Sequence, residues 1–213
     1  MRKKTDFHPI ALAPHVWAGS PVLVTARQLN ERSVALLAQA VHADPSLPSS
    51  PALMELRKLA NHLDSRVRER VGRCPVLLVD LNFQESEWWG CIANSSSESA
   101  QLNGPQAIFT QEAAAPLLRE ILLEAWSIGR TLPRVVSLLF GMAPRVADTI
   151  AQLSVREVHR IADHYARYLR PRWEDRGVFW RHLLLAAIGA DEKALIDVQL
   201  HCLALLGSDR MGR

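Results

Sequence analysis

Residues Ile121–Arg172 read ILLEAWSIGRTLPRVVSLLFGMAPRVADTIAQLSVREVHRIADHYARYLRPR, and the fold class follows from this stretch. Its clearest local signal is Ser154-Val155-Arg156-Glu157, a capping box. The serine hydroxyl can accept from the Glu157 backbone N–H while the glutamate reaches back to the Ser154 N–H. A helix is therefore expected from Val155, with Val158, Ile161, Ala162 and Tyr165 on one apolar face. Upstream, Pro144 suits a first helical turn, which predicts a short helix to about Leu153 that buries Val146, Ile150 and Leu153. A short helix, a tight break and a capped longer helix make the outline of a helix-turn-helix over 144–168, although no glycine marks the turn.

Working outward, Leu122, Ala125 and Ile128 continue a helix opened by Thr110 and Glu112, with Pro116 in its first turns. Gly129 and Thr131-Leu132-Pro133 break it. Apolar spacing resumes from Val135 to Phe140, and Gly141 closes that helix. Pro171 is expected to stop the capped helix. Phe179–Gly189 (FWRHLLLAAIG) is almost uniformly apolar, the composition of a buried or subunit-interface helix. Asp191 caps a last helix with Leu195, Val198, Cys202 and Leu205 inward, ended by Gly207. Toward the N-terminus, Leu29–Val41 reads as a helix capped by Asn30, and DPSLPSS (44–50) as a break. Ser50 and Pro51 then start a long helix to Val71, with Leu53, Leu56, Ala60, Leu63 and Val67 on its stripe. Cys74–Phe83 reads as a short buried extended segment, with strand character near 75–83. It has no evident second strand, and pairing with the same segment of another subunit would satisfy its backbone.

The expectation is a mainly α, multi-helix, oligomer-forming chain. It divides into an irregular arm (1–20), a helical region with the extended segment (21–105), a second helical domain (106–207) and a tail (208–213). No apolar run approaches the roughly 20 residues of a membrane span. The basic start Met1-Arg2-Lys3-Lys4 lacks the apolar run of a secretory signal. Three scattered cysteines, Cys74, Cys91 and Cys202, fit a reducing cytoplasm better than a disulfide framework. The chain thus reads as bacterial-type and cytoplasmic.

Net charge is only +3, but 130–181 holds ten arginines against five acids. A basic surface around a helix-turn-helix is what a phosphate backbone requires, although arginine is also the default surface cation in a chain with four lysines. With the apolar face inward, Arg156, His159, Arg160 and Arg167 face out, and Arg170 and Arg172 extend a phosphate track. These six are the candidate DNA-binding residues. Trp88, Trp89, Phe179, Trp180 and Leu184 are the candidate interface residues.

Catalytic motifs are missing: there is no GxSxG, HExxH, Walker glycine loop or GxGxxG. No catalytic residue, metal site or cofactor is therefore assigned. His159, Asp163 and His164 share one helical turn but lack a second ligand pair. His182 and His201 sit among apolar residues and are expected as core or interface histidines, and Cys74 as a buried structural thiol.

The run Leu122-Leu123-Glu124-Ala125, Leu138-Leu139-Phe140-Gly141-Met142 and Ala147-Asp148-Thr149-Ile150-Ala151-Gln152-Leu153, continued by Ser154–Ala162, resembles the FlhD-type flagellar master-regulator subunit. The similarity spans about 50 residues of helical apolar positions plus one glycine. It implies an all-α subunit of a hetero-oligomeric transcription activator, of the kind that also switches on transfer genes of conjugative elements. The chain is about twice the usual length for such proteins, and 1–110 has no counterpart in them. The family's partner subunit carries a four-cysteine zinc site, which three cysteines cannot supply. The expected function is therefore a transcriptional activator subunit that binds DNA as a homodimer or with a second regulator subunit, away from membranes. The alternative is a protein-interaction module: an adaptor, anti-activator or secretion-linked factor.

Overall fold

The computed structural model describes residues 21–44, 50–94 and 107–211. In chain order its elements are α1 (Pro21–Ala43), α2 (Pro51–Leu59), α3 (Ser65–Gly72), β1 (Val79–Asp80), α4 (Ser86–Asn94), α5 (Gln111–Gly129), α6 (Pro133–Leu139), α7 (Pro144–Gln152), α8 (Val155–Tyr165), β2 (Arg170–Pro171), α9 (Gly177–Ile188) and α10 (Glu192–Met211). The fold is mainly α, as the periodicities require. The N-terminal arm (1–20), most of the break at 44–50, residues 95–106 and the last two residues lie outside the described range.

Local chemistry sets most boundaries. Thr110 Oγ1 accepts from Ala113 N to open α5, Ser50 caps α2 ahead of Pro51, and Pro133 and Pro144 take the first turns of α6 and α7. The Ser154–Glu157 box is complete: Ser154 Oγ accepts from Glu157 N at 3.3 Å, and Ser154 N donates to Glu157 Oε2 at 2.6 Å. Asp191 Oδ1 accepts from Ala194 N, opening α10.

Several expectations need correction. The helix predicted over 51–71 is two helices, because Asp64 Oδ1 accepts from Val67 N and restarts the chain after a 3-10 turn at Ala60–His62. Asn30 is not a cap. α1 begins at Pro21, and Asn30 lies mid-helix, fully buried. Pro171 does not stop α8, which ends at Tyr165 and passes through a 3-10 turn at Ala166–Tyr168. Gly207 does not end α10, which continues to Met211.

The extended segment finds its partners inside the chain, not in another subunit. β1 pairs antiparallel with β2, Val79 opposite Pro171 and Asp80 opposite Arg170. Leu77 N donates to Leu139 O, and Arg172 N donates to Leu78 O, each at 2.8 Å. Asn30 completes the arrangement: its Nδ2 donates to Cys74 O (3.1 Å) and Val76 O (3.0 Å), and its Oδ1 accepts from Leu78 N (2.7 Å). Buried backbone groups must be paired, and here side chains from distant elements do much of the pairing.

α5 is the central helix. It buries Leu117, Leu118, Ile121, Leu122 and Ala125 and packs against α1, α6, α7 and α8. α9 packs on α2, α3 and α10. The buried side chains form one continuous cluster that runs across the 105/106 boundary, so elements of both halves share a core.

Candidate nucleic-acid interface

α8 buries Val158, Ile161, Ala162 and Tyr165 and leaves Arg156, His159, Asp163 and His164 toward water. It rests on α5, and Tyr165 meets Trp88 edge-on at 5.7 Å. The corner between α7 and α8 is only Leu153 and Ser154. It is fixed from α5, where Trp126 Nε1–H donates to Leu153 O at 2.7 Å. The Arg130 guanidinium stacks over the Trp126 ring, 5.0 Å from its centroid, which sets a cation beside this corner. Hydrogen bonds from the Ser154 backbone N–H and hydroxyl hold the Glu157 carboxyl below its ordinary range, so the box is fully ionised near neutrality.

Of the six candidate DNA-binding residues, Arg156 and His159 stand exposed on the first turns of α8, with no hydrogen bond or ion pair to another described residue. Arg167 is also exposed. It lies over the Tyr168 ring at 4.9 Å, donates to Tyr168 Oη, and keeps its charge at the surface. The other three are engaged inside the molecule, and their expected role is corrected. Arg160 Nη2 donates to Ile92 O (2.9 Å) and Ala93 O (3.4 Å), capping the C-terminal carbonyls of α4, where a cation meets the negative end of the helix. Arg170 is half-buried and pairs with Glu174 at 2.7 Å. Arg172 is 4% exposed, and its guanidinium donates to Leu77 O and Phe140 O (both 2.7 Å), Gly141 O (3.2 Å), Val79 O (3.3 Å) and Asp80 Oδ1 (3.3 Å). No phosphate can reach it.

Arg130 is the cation that the sequence reading passed over. Its signal was present: Trp126 and Arg130 are four apart on one helix, the spacing at which side chains meet.

The candidate interface residues are corrected in the same way. Trp89, Phe179, Trp180 and Leu184 are all buried in the core, and Trp88 is half-buried against Trp89 and Tyr165. The Trp89 indole donates to Leu81 O, and that of Trp180 donates to Arg172 O. α9 buries Phe179, Trp180, Leu183, Leu184, Ala186 and Ala187 against α2, α3 and α10 of this chain, and its other face, with Val178, Arg181, His182 and Leu185, is exposed. Apolar side chains left open include Val178 and Leu185 on α9 and Ile196, Leu200 and Leu203 on α10, at 40–67% exposure, besides scattered positions such as Leu132, Leu138 and Val155. His182 and His201 are exposed, not core residues.

Other chemistry finds less to build on. A cleft of about 370 Å³ beside β1 and β2 is lined by Asp80, Glu85, Glu174, Asp175 and Asp209, whose acids outnumber its two arginines, both already paired. That lining repels an anionic ligand. On α8, Asp163 pairs with Arg119, and His164 Nδ1–H donates to the Arg160 carbonyl within the helix. Among the described residues, no three His, Cys, Asp or Glu side chains gather in a metal-ligating group. No helix among them is long and apolar enough to cross a membrane.

In comparisons with family models, with curated proteins and with solved structures, nothing matches this chain.

Proposed function

We propose that this chain is a transcription-regulator subunit that touches the DNA backbone through the α7–α8 corner and acts within an oligomer. The observation that carries the reading is the seating of α8: one face is locked into the core while Arg156 and His159 stand on its exposed first turns. Arg130, on its tryptophan platform, sits beside that corner, and Arg167 lies exposed beyond the other end of α8, over Tyr168. Arginine on a stacked, preorganised surface is suited to phosphate.

Three exposed arginines imply weak binding by one chain. At about 0.9 counterion per neutralised phosphate, log K against log salt has a slope of roughly −3. Useful affinity then requires a second copy or a partner subunit. The open apolar positions Ile196, Leu200 and Leu203, spaced i, i+4 and i+7 along α10, offer a surface for one.

The test is a salt titration of duplex binding by fluorescence anisotropy, comparing the parent with R130A/R156A. The variant should keep the parent's melting temperature and lose roughly two units of slope. Salt-independent binding, or affinity unchanged in the variant, overturns the assignment. The same open apolar surface supports a second reading, a protein-interaction module. A tight hetero-complex without salt-dependent DNA affinity would select it.

A further inference from the structure

Cys74 and Cys202 are 128 residues apart in sequence, yet their Sγ atoms lie 3.0 Å from each other inside the core. Both are buried. A disulfide bond is about 2.04 Å long, so a movement of about 1 Å separates the two thiols from bonding distance. Their settings differ. Cys74 follows α3, in the segment that Asn30 clamps, and lies against a groove between α1, α3 and α10 that Arg27, Arg73 and Ile196 also line. Cys202 is fully buried in the middle of α10. Its thiol is held protonated by the hydrogen-bonded contact with Cys74 and by burial.

We propose that Cys74 and Cys202 form a site of reversible intramolecular disulfide formation that staples α10 to the segment following α3. The oxidant is a small peroxide, of a size to enter the groove beside Cys74. The Cys74 sulfur attacks one peroxide oxygen, the O–O bond breaks, and a sulfenic acid and one water form. The Cys202 sulfur then attacks the sulfenic sulfur. The S–S bond forms, the S–O bond breaks, and the departing hydroxide takes the Cys202 proton as a second water. Two electrons pass from the two sulfurs to one peroxide, so two thiols and one hydrogen peroxide give one disulfide and two waters. Reduction by a dithiol reverses the link. The inference rests on the cysteine geometry alone and is independent of any DNA contact.

The bond would close a long loop and restrict the unfolded chain, which raises the melting temperature by roughly 5–15 °C for a chain of this size. The experiment takes the full chain reduced with a phosphine, treats it with equimolar hydrogen peroxide, and counts thiols by maleimide mass shift after denaturation. Peptide mapping without reductant follows. The expected result is three alkylatable thiols falling to one, Cys91, with a Cys74–Cys202 linked peptide and a higher melting temperature that dithiothreitol abolishes. C91S should behave as the parent does, and C202S should lose the linked peptide. Because C91S leaves the buried pair untouched, it keeps the test decisive even where C202S folds poorly. If Cys74 and Cys202 remain alkylatable once Cys91 has been oxidised, the proposal is wrong. It is equally wrong if the only disulfides found run through Cys91, or if Cys74 ends as a sulfinic acid.

Discussion

Arg172 shows how far one residue's role can depend on distant chain. Its guanidinium serves four carbonyls and Asp80, and its own carbonyl accepts from the Trp180 indole. Removing a buried, fully bonded cation strands its partners, so Arg172→Ala should cost about 3–5 kcal/mol in urea denaturation. Arg172→Lys should recover only part of that loss, because an ammonium has three donors and no planar fork. Beside it, Gly141 holds φ 59°, and a Cβ there would run into the Arg172 guanidinium. Asn30 is the comparable hub on α1, and Asn30→Ala should cost about 3 kcal/mol by the same measurement, since two carbonyls and one N–H lose their partner in the core. Neither role was legible in the sequence. Arg172 sits in a run of arginines that reads as surface, and Asn30 has the residue type of a helix cap. The partners of these two side chains lie 31 to 95 residues away, beyond what local patterning encodes.

At the level of elements, much of the local chemistry was legible, although the Asp64 cap that restarts the chain as α3 was not. The capping box, Thr110 at the head of α5, and the prolines opening α2 and α7 all act within four residues, and each does what its spacing dictates. Ser154→Ala should lower stability by about 1 kcal/mol, measured by chemical denaturation. The box also carries a sign in pH. Glu157 ionises below its ordinary range when folded, so its contribution is complete above the unfolded pKa and is lost as pH falls through the lower folded value. The stability gap between parent and Glu157→Ala should therefore narrow at acid pH. His42 runs the other way. Asn61 Oδ1 and Ala38 O, both at 2.8 Å, favour its protonated ring. Its contribution is full below the ordinary imidazole range and fades as pH rises through the raised folded value. Other failures at this scale were non-local: the β1–β2 pairing, and α9, read as an interface from its nearly uniform apolar composition. A helix enclosed by its own chain and one enclosed by a partner have the same composition.

For the whole molecule, the single core explains why the six DNA candidates shrank to three. Packing α8 against α5 turns Arg160 toward α4, and the β1–β2 pairing carries Arg172 inside. The candidate surface was therefore half legible: the exposed turns of α8 follow from helical periodicity, and the rest depends on what the tertiary fold covers. If the subunit acts as an oligomer, DNA affinity should depend on protein concentration. A charge placed in the apolar stripe, such as Leu200→Glu, should then weaken DNA binding with little change in melting temperature, with assembly followed by analytical ultracentrifugation. An unchanged sedimentation profile for that variant would point away from α10 as the assembly face.

The Leu77 carbonyl and the guanidinium that satisfies it are 95 residues apart in the chain. At a synthesis rate of roughly 5–20 residues per second, the ribosome makes the acceptor about 5–20 s before its donor. Throughout that interval the apolar run Cys74–Phe83 has neither its β2 strand nor its arginine, and such a run is prone to pairing with its like. The order in which this chain is written thus sets a period of chaperone dependence, and nascent chains arrested before Arg172 should be the species that chaperones hold longest.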